Sequence, residues 1–137
     1  GYMIAQTNKN IEVVNATYDN LIEQTKSAKV IHITGGESPD LVSDIQQYPD
    51  FVSSLKGKVV GGSSAGACLF STYYFFNTKQ GVLKGLGVLP IRLLVHYGNP
   101  EFDATETSLN LLKAYPQALE LVVLEECAWV VREVDIS

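Results

Sequence analysis

The chain has 137 residues, 46% of them hydrophobic, and its 15 acidic side chains outweigh 10 basic ones to leave a formal charge of −5. That length suits one domain over 1–137 with a single core, and the acidic balance, with Lys and Arg scattered, argues against nucleic acid or an anionic membrane as partner. The apolar runs fall far short of the roughly 20 residues that span a bilayer, and Gly1-Tyr2-Met3-Ile4-Ala5-Gln6 lacks the basic region and apolar core of a signal peptide, so a cytoplasmic protein is expected.

In chain order, Ile11-Glu12-Val13-Val14-Asn15 reads as a short strand. Thr17 is placed to cap a helix from Tyr18 to about Ala28, where Tyr18, Leu21, Ile22 and Thr25 fall at helical spacing. Lys29 to Thr34 is a strand ending in Gly35-Gly36. Ser38-Pro39 opens the next helix, with serine at the cap and proline at the first helical position, and that helix breaks near Tyr48-Pro49. After a turn around Phe51–Leu55, Lys58-Val59-Val60 reads as a buried strand, and a helix is expected from Ala65 towards Thr72. Tyr73-Tyr74-Phe75-Phe76 fits either strand or helix. Ile91 to His96 is a strand closing on the loop Tyr97-Gly98-Asn99-Pro100. Asp103 with Glu106 suggests a capping box for a helix to Tyr115 with Leu109 and Leu112 facing in. Leu119–Leu124 and Ala128–Arg132 read as strands, the last as a hairpin partner. Strands alternating with helices point to a parallel α/β sheet, with an antiparallel C-terminal part.

Between strand and helix, Gly62-Ser63-Ser64-Ala65-Gly66 forms the pattern G-x-S-x-G. A serine at a sharp strand-to-helix turn projects its hydroxyl out of the sheet, and flanking glycines let backbone pass close by. A plain Gly/Ser turn is the alternative. Ligands gather at the carboxyl ends of parallel strands, where Gly35-Gly36, Ser64, His96 and Glu125-Glu126 all fall. Of the two histidines, His32 lies inside a strand between Ile31 and Ile33 and reads as structural. His96 ends a strand and is free either to act as a base or to hydrogen-bond locally. Glu125 and Glu126 are either solvated turn carboxylates or an orienting acid. Cys68 and Cys127 have no metal-ligand spacing and read as small buried apolar residues.

Thr34-Gly35-Gly36-Glu37-Ser38-Pro39-Asp40-Leu41, the elbow Gly62–Ala67, His96-Tyr97 and Leu124-Glu125-Glu126-Cys127-Ala128-Trp129 occur in one order. In this the chain resembles the aspartyl dipeptidase (peptidase E) and cyanophycinase family from about Ile11 to Arg132. Those serine peptidases are similar in fold to class I glutamine amidotransferases. The resemblance implies a flavodoxin-like three-layer α/β sandwich with a mostly parallel sheet. It implies Ser64 as nucleophile, His96 as general base and Glu126 as orienting acid, with Glu125 as the alternative. The oxyanion hole would be the N–H of Gly36 or Gly35 together with that of Ala65. The implied reaction is hydrolysis of small peptides through an acyl-enzyme, with no cofactor and no metal.

Three departures shape further expectations. The family opens with a strand–helix–strand unit ahead of the segment matching Ile11, and this sequence lacks it, as a short or fragmentary member would. A bare sheet edge is therefore expected, covered by a second copy in a homo-oligomer whose interface includes the N-terminal third, with residues before Ile11 adding cover. Thr34 takes the first place of the glycine turn. After His96, where aspartyl dipeptidase carries a basic group for its acidic substrate, this chain has Asn99-Pro100-Glu101-Phe102-Asp103, so aspartate specificity does not carry over. The competing readings are a non-catalytic binding or oligomerisation module of the same fold, and a hydrolase of another amide or an ester.

Overall fold

A computed structural model describes residues 10–137. A 3-10 turn at Tyr18–Asn20 leads into α1 (Leu21–Ser27), followed by β1 (Val30–Ile33), α2 (Ser38–Gln46), α3 (Phe51–Ser54), β2 (Val59–Gly62) and α4 (Ala65–Phe70). Next come β3 (Ser71–Phe76), β4 (Gly81–Lys84), β5 (Leu89–Leu94), α5 (Glu106–Lys113) and β6 (Glu120–Val123). The strands form two sheets. β1 and β2 pair in parallel, Val30 opposite Val59 and Ile33 opposite Gly62. The second sheet runs β4-β3-β5-β6, parallel at β3–β5 and β5–β6 and antiparallel at β3–β4.

The second sheet is covered on both faces, and the pleat of its strands explains how. Successive side chains of a strand point to opposite faces. Tyr74, Ile91, Leu93 and Val122 therefore join Val42, Ile45, Phe51, Leu55, Leu69 and Phe70 of the helices in one core. Their neighbours Phe75 and Leu94 pack with Ala104 and Leu112 in another. Helices α2–α4 thus lie on one side and α5 on the other, a mixed α/β arrangement of three layers with mostly parallel strands. β5 is buried along Ile91–Leu94, as a central parallel strand must be.

Arg92 sits in that buried stretch at 5% exposure. Its guanidinium donates to the carbonyls of Leu112 and Tyr115 at 3.2 Å, of Leu119 at 3.1 Å and of Lys113 at 3.4 Å. The Leu112, Lys113 and Tyr115 carbonyls lie where α5 ends and that of Leu119 in the loop before β6, so the charge is met largely by the helix's negative pole. Lys58 does the same for α1, donating to the carbonyls of Lys26 and Ala28.

Several expectations need correction. Ile11–Asn15 is no strand. It has no ladder partner among the described residues, it is exposed, and side-chain bonds such as Gln24 Nε2 to the Asn15 carbonyl tie down its end. Ala128–Arg132 is likewise unpaired and exposed, with Trp129 at 79%. Its anchor is Arg132, whose guanidinium meets the Glu120 carboxylate. The antiparallel pair is therefore β3–β4, not a C-terminal hairpin. The N-cap position of α2 is held by Glu37, without a side-chain bond, rather than by Ser38, and Ser38 is buried in its first turn. α5 is capped by Thr105 and Ser108, not Asp103 and Glu106, because Asp103 adopts a left-handed φ of 48° and its carbonyl accepts the Ser108 hydroxyl. α4 stops at Phe70, where Ser71 Oγ caps the Cys68 carbonyl at 2.8 Å. The N-terminal stretch Gly1–Gln6, and nearly all the cover expected from residues before Ile11, lie outside the described residues.

Candidate active site

The turn between β2 and α4 is built by its glycines. A Cβ on Gly62 would collide with the Gly66 carbonyl, and one on Gly66 with the Ile33 carbonyl of β1. Only glycine at both places lets β2 reverse this sharply into α4 while α4 leans on β1. Ser64 between them takes φ 52° and ψ −115°, a conformation that bulky side chains avoid and that marks stored strain. The turn is braced by its own backbone: Gly66 N–H donates to Ser63 O at 2.9 Å, and Ala67 and Cys68 N–H donate to Ser64 O at 3.0 Å.

Beyond Leu94, β5 and β6 stay joined past their formal ends. Leu124 N–H donates to Leu94 O at 2.8 Å and Tyr97 N–H to Leu124 O at 3.0 Å. This carries His96 and Glu126 towards one another. His96 Nε2 lies 2.9 Å from Ser64 Oγ, and its Nδ1 lies 2.6 Å from Glu126 Oε1. With Nδ1–H donating to the carboxylate, Nε2 is left as the acceptor of the Ser64 hydroxyl proton. His96 itself has a left-handed φ of 59°, and the Phe102 ring stacks on its imidazole at 3.8 Å between centroids. Bonds from Asn99, and then from His96, hold the Glu126 carboxyl below its ordinary range.

Gly35 lies against the serine: a Cβ there would stand 3.3 Å from Ser64 Cβ and 3.7 Å from its Oγ. Gly36 has φ 153° with open space beside it, and Ala65 is buried at the start of α4. Glu125 is exposed and turns to a hollow of about 460 Å³ that it shares with Tyr97, Gly98, Asn99 and Glu126. The carboxylate that meets His96 is Glu126's. A second hollow of about 390 Å³ lies between Tyr97 and Thr105. Neither hollow is lined by Ser64; the first reaches Glu126, and the two share Tyr97, Gly98 and Asn99.

His32 stays on the body of β1, its ring lying over Gly61 of β2, where a Cβ would approach Nδ1 to 2.8 Å. Cys68 is buried and its thiol is pushed up to about 12 by desolvation, whereas Cys127, expected inside, is exposed. It follows Glu126 in the turn after β6 and takes a left-handed φ of 63°. In the sequence Asn99 and Phe102 read only as members of the acidic loop after His96, with no role at the relay. Their partners, Glu126 and His96, are revealed by tertiary placement, and the one local hint is an asparagine in a Gly-Asn-Pro turn. Among the described residues, no group of three or more His, Cys, Asp or Glu is arranged to hold a metal.

The model of Peptidase family S51 matches residues 4–136. No curated protein and no solved structure matches the chain.

Proposed function

The chain belongs to Peptidase family S51, and from that membership we propose that it hydrolyses small peptides by way of an acyl-enzyme on Ser64. The observation that carries this reading is the unbroken relay Ser64 Oγ–His96 Nε2, His96 Nδ1–Glu126 Oε1, at 2.9 and 2.6 Å. His96 accepts the Ser64 proton as Oγ bonds to the scissile carbonyl carbon, whose oxygen takes up the negative charge. The N–H groups of Ala65 and of Gly36, or its neighbour Gly35, stabilise that oxyanion. Gly35 and Gly36 serve here because a side chain would obstruct the carbonyl's approach. Imidazolium His96 returns the proton to the leaving amine, the C–N bond breaks, and the acyl group stays on Oγ. Water then attacks the ester with His96 again as base, releasing the acid and restoring Ser64. Glu126 remains ionised throughout and keeps the imidazole in the tautomer that presents Nε2 as acceptor.

Reaction with a fluorophosphonate, followed by intact mass and peptide mapping, tests the reading, since it requires an activated serine. Labelling at Ser64 that disappears in H96A is the expected result. A chain that stays unlabelled while folded would favour the non-catalytic reading.

A further inference from the structure

Glu126 has a second donor. Asn99 Nδ2 reaches the same Oε1 that meets His96, at 2.8 Å, so one carboxylate oxygen is gripped from two sides. The other end of the amide is also committed. Asn99 Oδ1 accepts the Glu101 N–H at 2.9 Å, an Asx turn that fixes which way the side chain faces. A flipped amide would set oxygen against carboxylate and nitrogen against N–H, so the two bonds together assign its orientation. The loop's main chain is pinned as well, with Asn99 N–H on His96 O at 3.0 Å and Phe102 N–H on Asn99 O at 3.1 Å.

Exposure shows why such a strut matters. The His96 side chain is 17% exposed, but that of Glu126 is 50% exposed. A long carboxylate side chain at the surface loses rotamer freedom when held in one place, and a lone exposed contact offsets little of that loss. His96 alone is a weak hold on Glu126. A neutral amide fixed by its own turn adds a second directed bond at little further cost in entropy.

We propose that Asn99 is a positioning residue, whose side-chain amide holds Glu126 in the rotamer that orients His96 towards Ser64. The assignment rests on the peptidase reading for its catalytic meaning, but the strut itself can be observed without turnover. N99D is the discriminating variant. It keeps an oxygen for the Glu101 N–H, and so keeps the turn, while replacing the donor to Glu126 with a second carboxylate. N99A removes both.

The experiment compares wild type, N99A and N99D by the rate of fluorophosphonate labelling across pH, and by the low-field proton resonance of His96 Nδ1–H. Labelling is expected to slow about tenfold in N99A, the order seen when an outer-shell hydrogen bond is removed, and at least as much in N99D at neutral pH. Towards acid pH the N99D-to-wild-type ratio rises, because the introduced carboxyl takes up a proton and donates in place of the amide. The N99A ratio falls instead, since Glu126 without its donor is protonated sooner. The resonance is present in wild type and lost to exchange in both variants at neutral pH. If N99D labels like wild type at every pH and keeps the resonance, Asn99 merely builds the turn and the proposal fails. It fails equally if wild type shows no such resonance. If wild type is never labelled yet shows a resonance that both variants lose, the strut stands and the peptidase reading falls.

Discussion

Glu126 owes its state to its neighbours, and that dependence has a definite sign with pH. Asn99 and His96 lower its carboxyl from the ordinary 4.5, so its bonds stabilise the folded chain above that value. The stabilisation is lost as pH falls through the lower folded-state value. Thermal melts of wild type and E126Q should therefore differ at neutral pH and converge well below the carboxylate range. A gap that stays constant at every pH would argue against the assigned contacts. Activity should respond more strongly: in the proposed reaction E126Q is expected to lose roughly 10⁴-fold in kcat, the order found when an orienting carboxylate becomes an amide. The side chains around the relay also bear on substrate choice. Glu101, Asp103 and Glu125 bring negative charge to the loops beside His96 and Glu126, and like charges disfavour an acidic substrate within the Debye length, roughly 8 Å at physiological salt. Asp-X dipeptides should be cleaved more slowly than Ala-X dipeptides, with the difference shrinking as salt is added. Fast, salt-independent cleavage of Asp-X would refute that expectation.

Two structural elements carry most of the burden of precision, the elbow and the end of α5. Gly66→Ala places a methyl group against the Ile33 carbonyl, and neither backbone can yield without parting β1 from α4. A loss of about 3 kcal/mol is expected from overpacking of that kind, together with loss of Ser64 labelling. Arg92→Met leaves four helix-end and loop carbonyls without their buried donor. Unfolding in denaturant should show a cost of about 3 kcal/mol, at the upper end for an unsatisfied buried polar group. What could be read in advance follows from how local each signal is. The elbow announces itself within five residues, because the glycines and the serine act on one another's backbone. The proline and serine that open α2 are nearly as local, and the cap they suggested is off by only one residue. Tyr73–Phe76 resisted because a strand buried on both faces has no alternation to detect. Ile11–Asn15 and Ala128–Arg132 have strand-like composition, but a strand also needs a neighbour, and no neighbour can be read from the segment itself. The same holds for Asn99, whose partner lies 27 residues away.

Viewed entire, the described chain keeps several large apolar side chains in water. Val30 and Val59, opposite one another on β1 and β2, are 64% and 69% exposed. We propose that a second copy binds this paired strip, which differs from the bare edge in the N-terminal third expected from the sequence. Sedimentation at micromolar concentration should then show a dimer or larger species, and V59K should shift it towards monomer without changing the circular dichroism spectrum. A wild-type monomer at that concentration would refute this.

The division into two sheets has a bearing on the proposed hydrolysis. Ser64 rides on the β1–β2 pair, whereas His96 and Glu126 ride on β5 and β6 of the other sheet. The 2.9 Å contact between serine and imidazole therefore spans a seam, and it works like a vernier that reads how the two plates are aligned. A slip of about 1 Å along that seam is enough to cost on the order of 10²-fold in rate. Changes under α4, which is wedged against β1, β2 and β3, too slight to overpack it as Gly66→Ala does, would then register as lost turnover in the proposed reaction by a chain that still melts where it should.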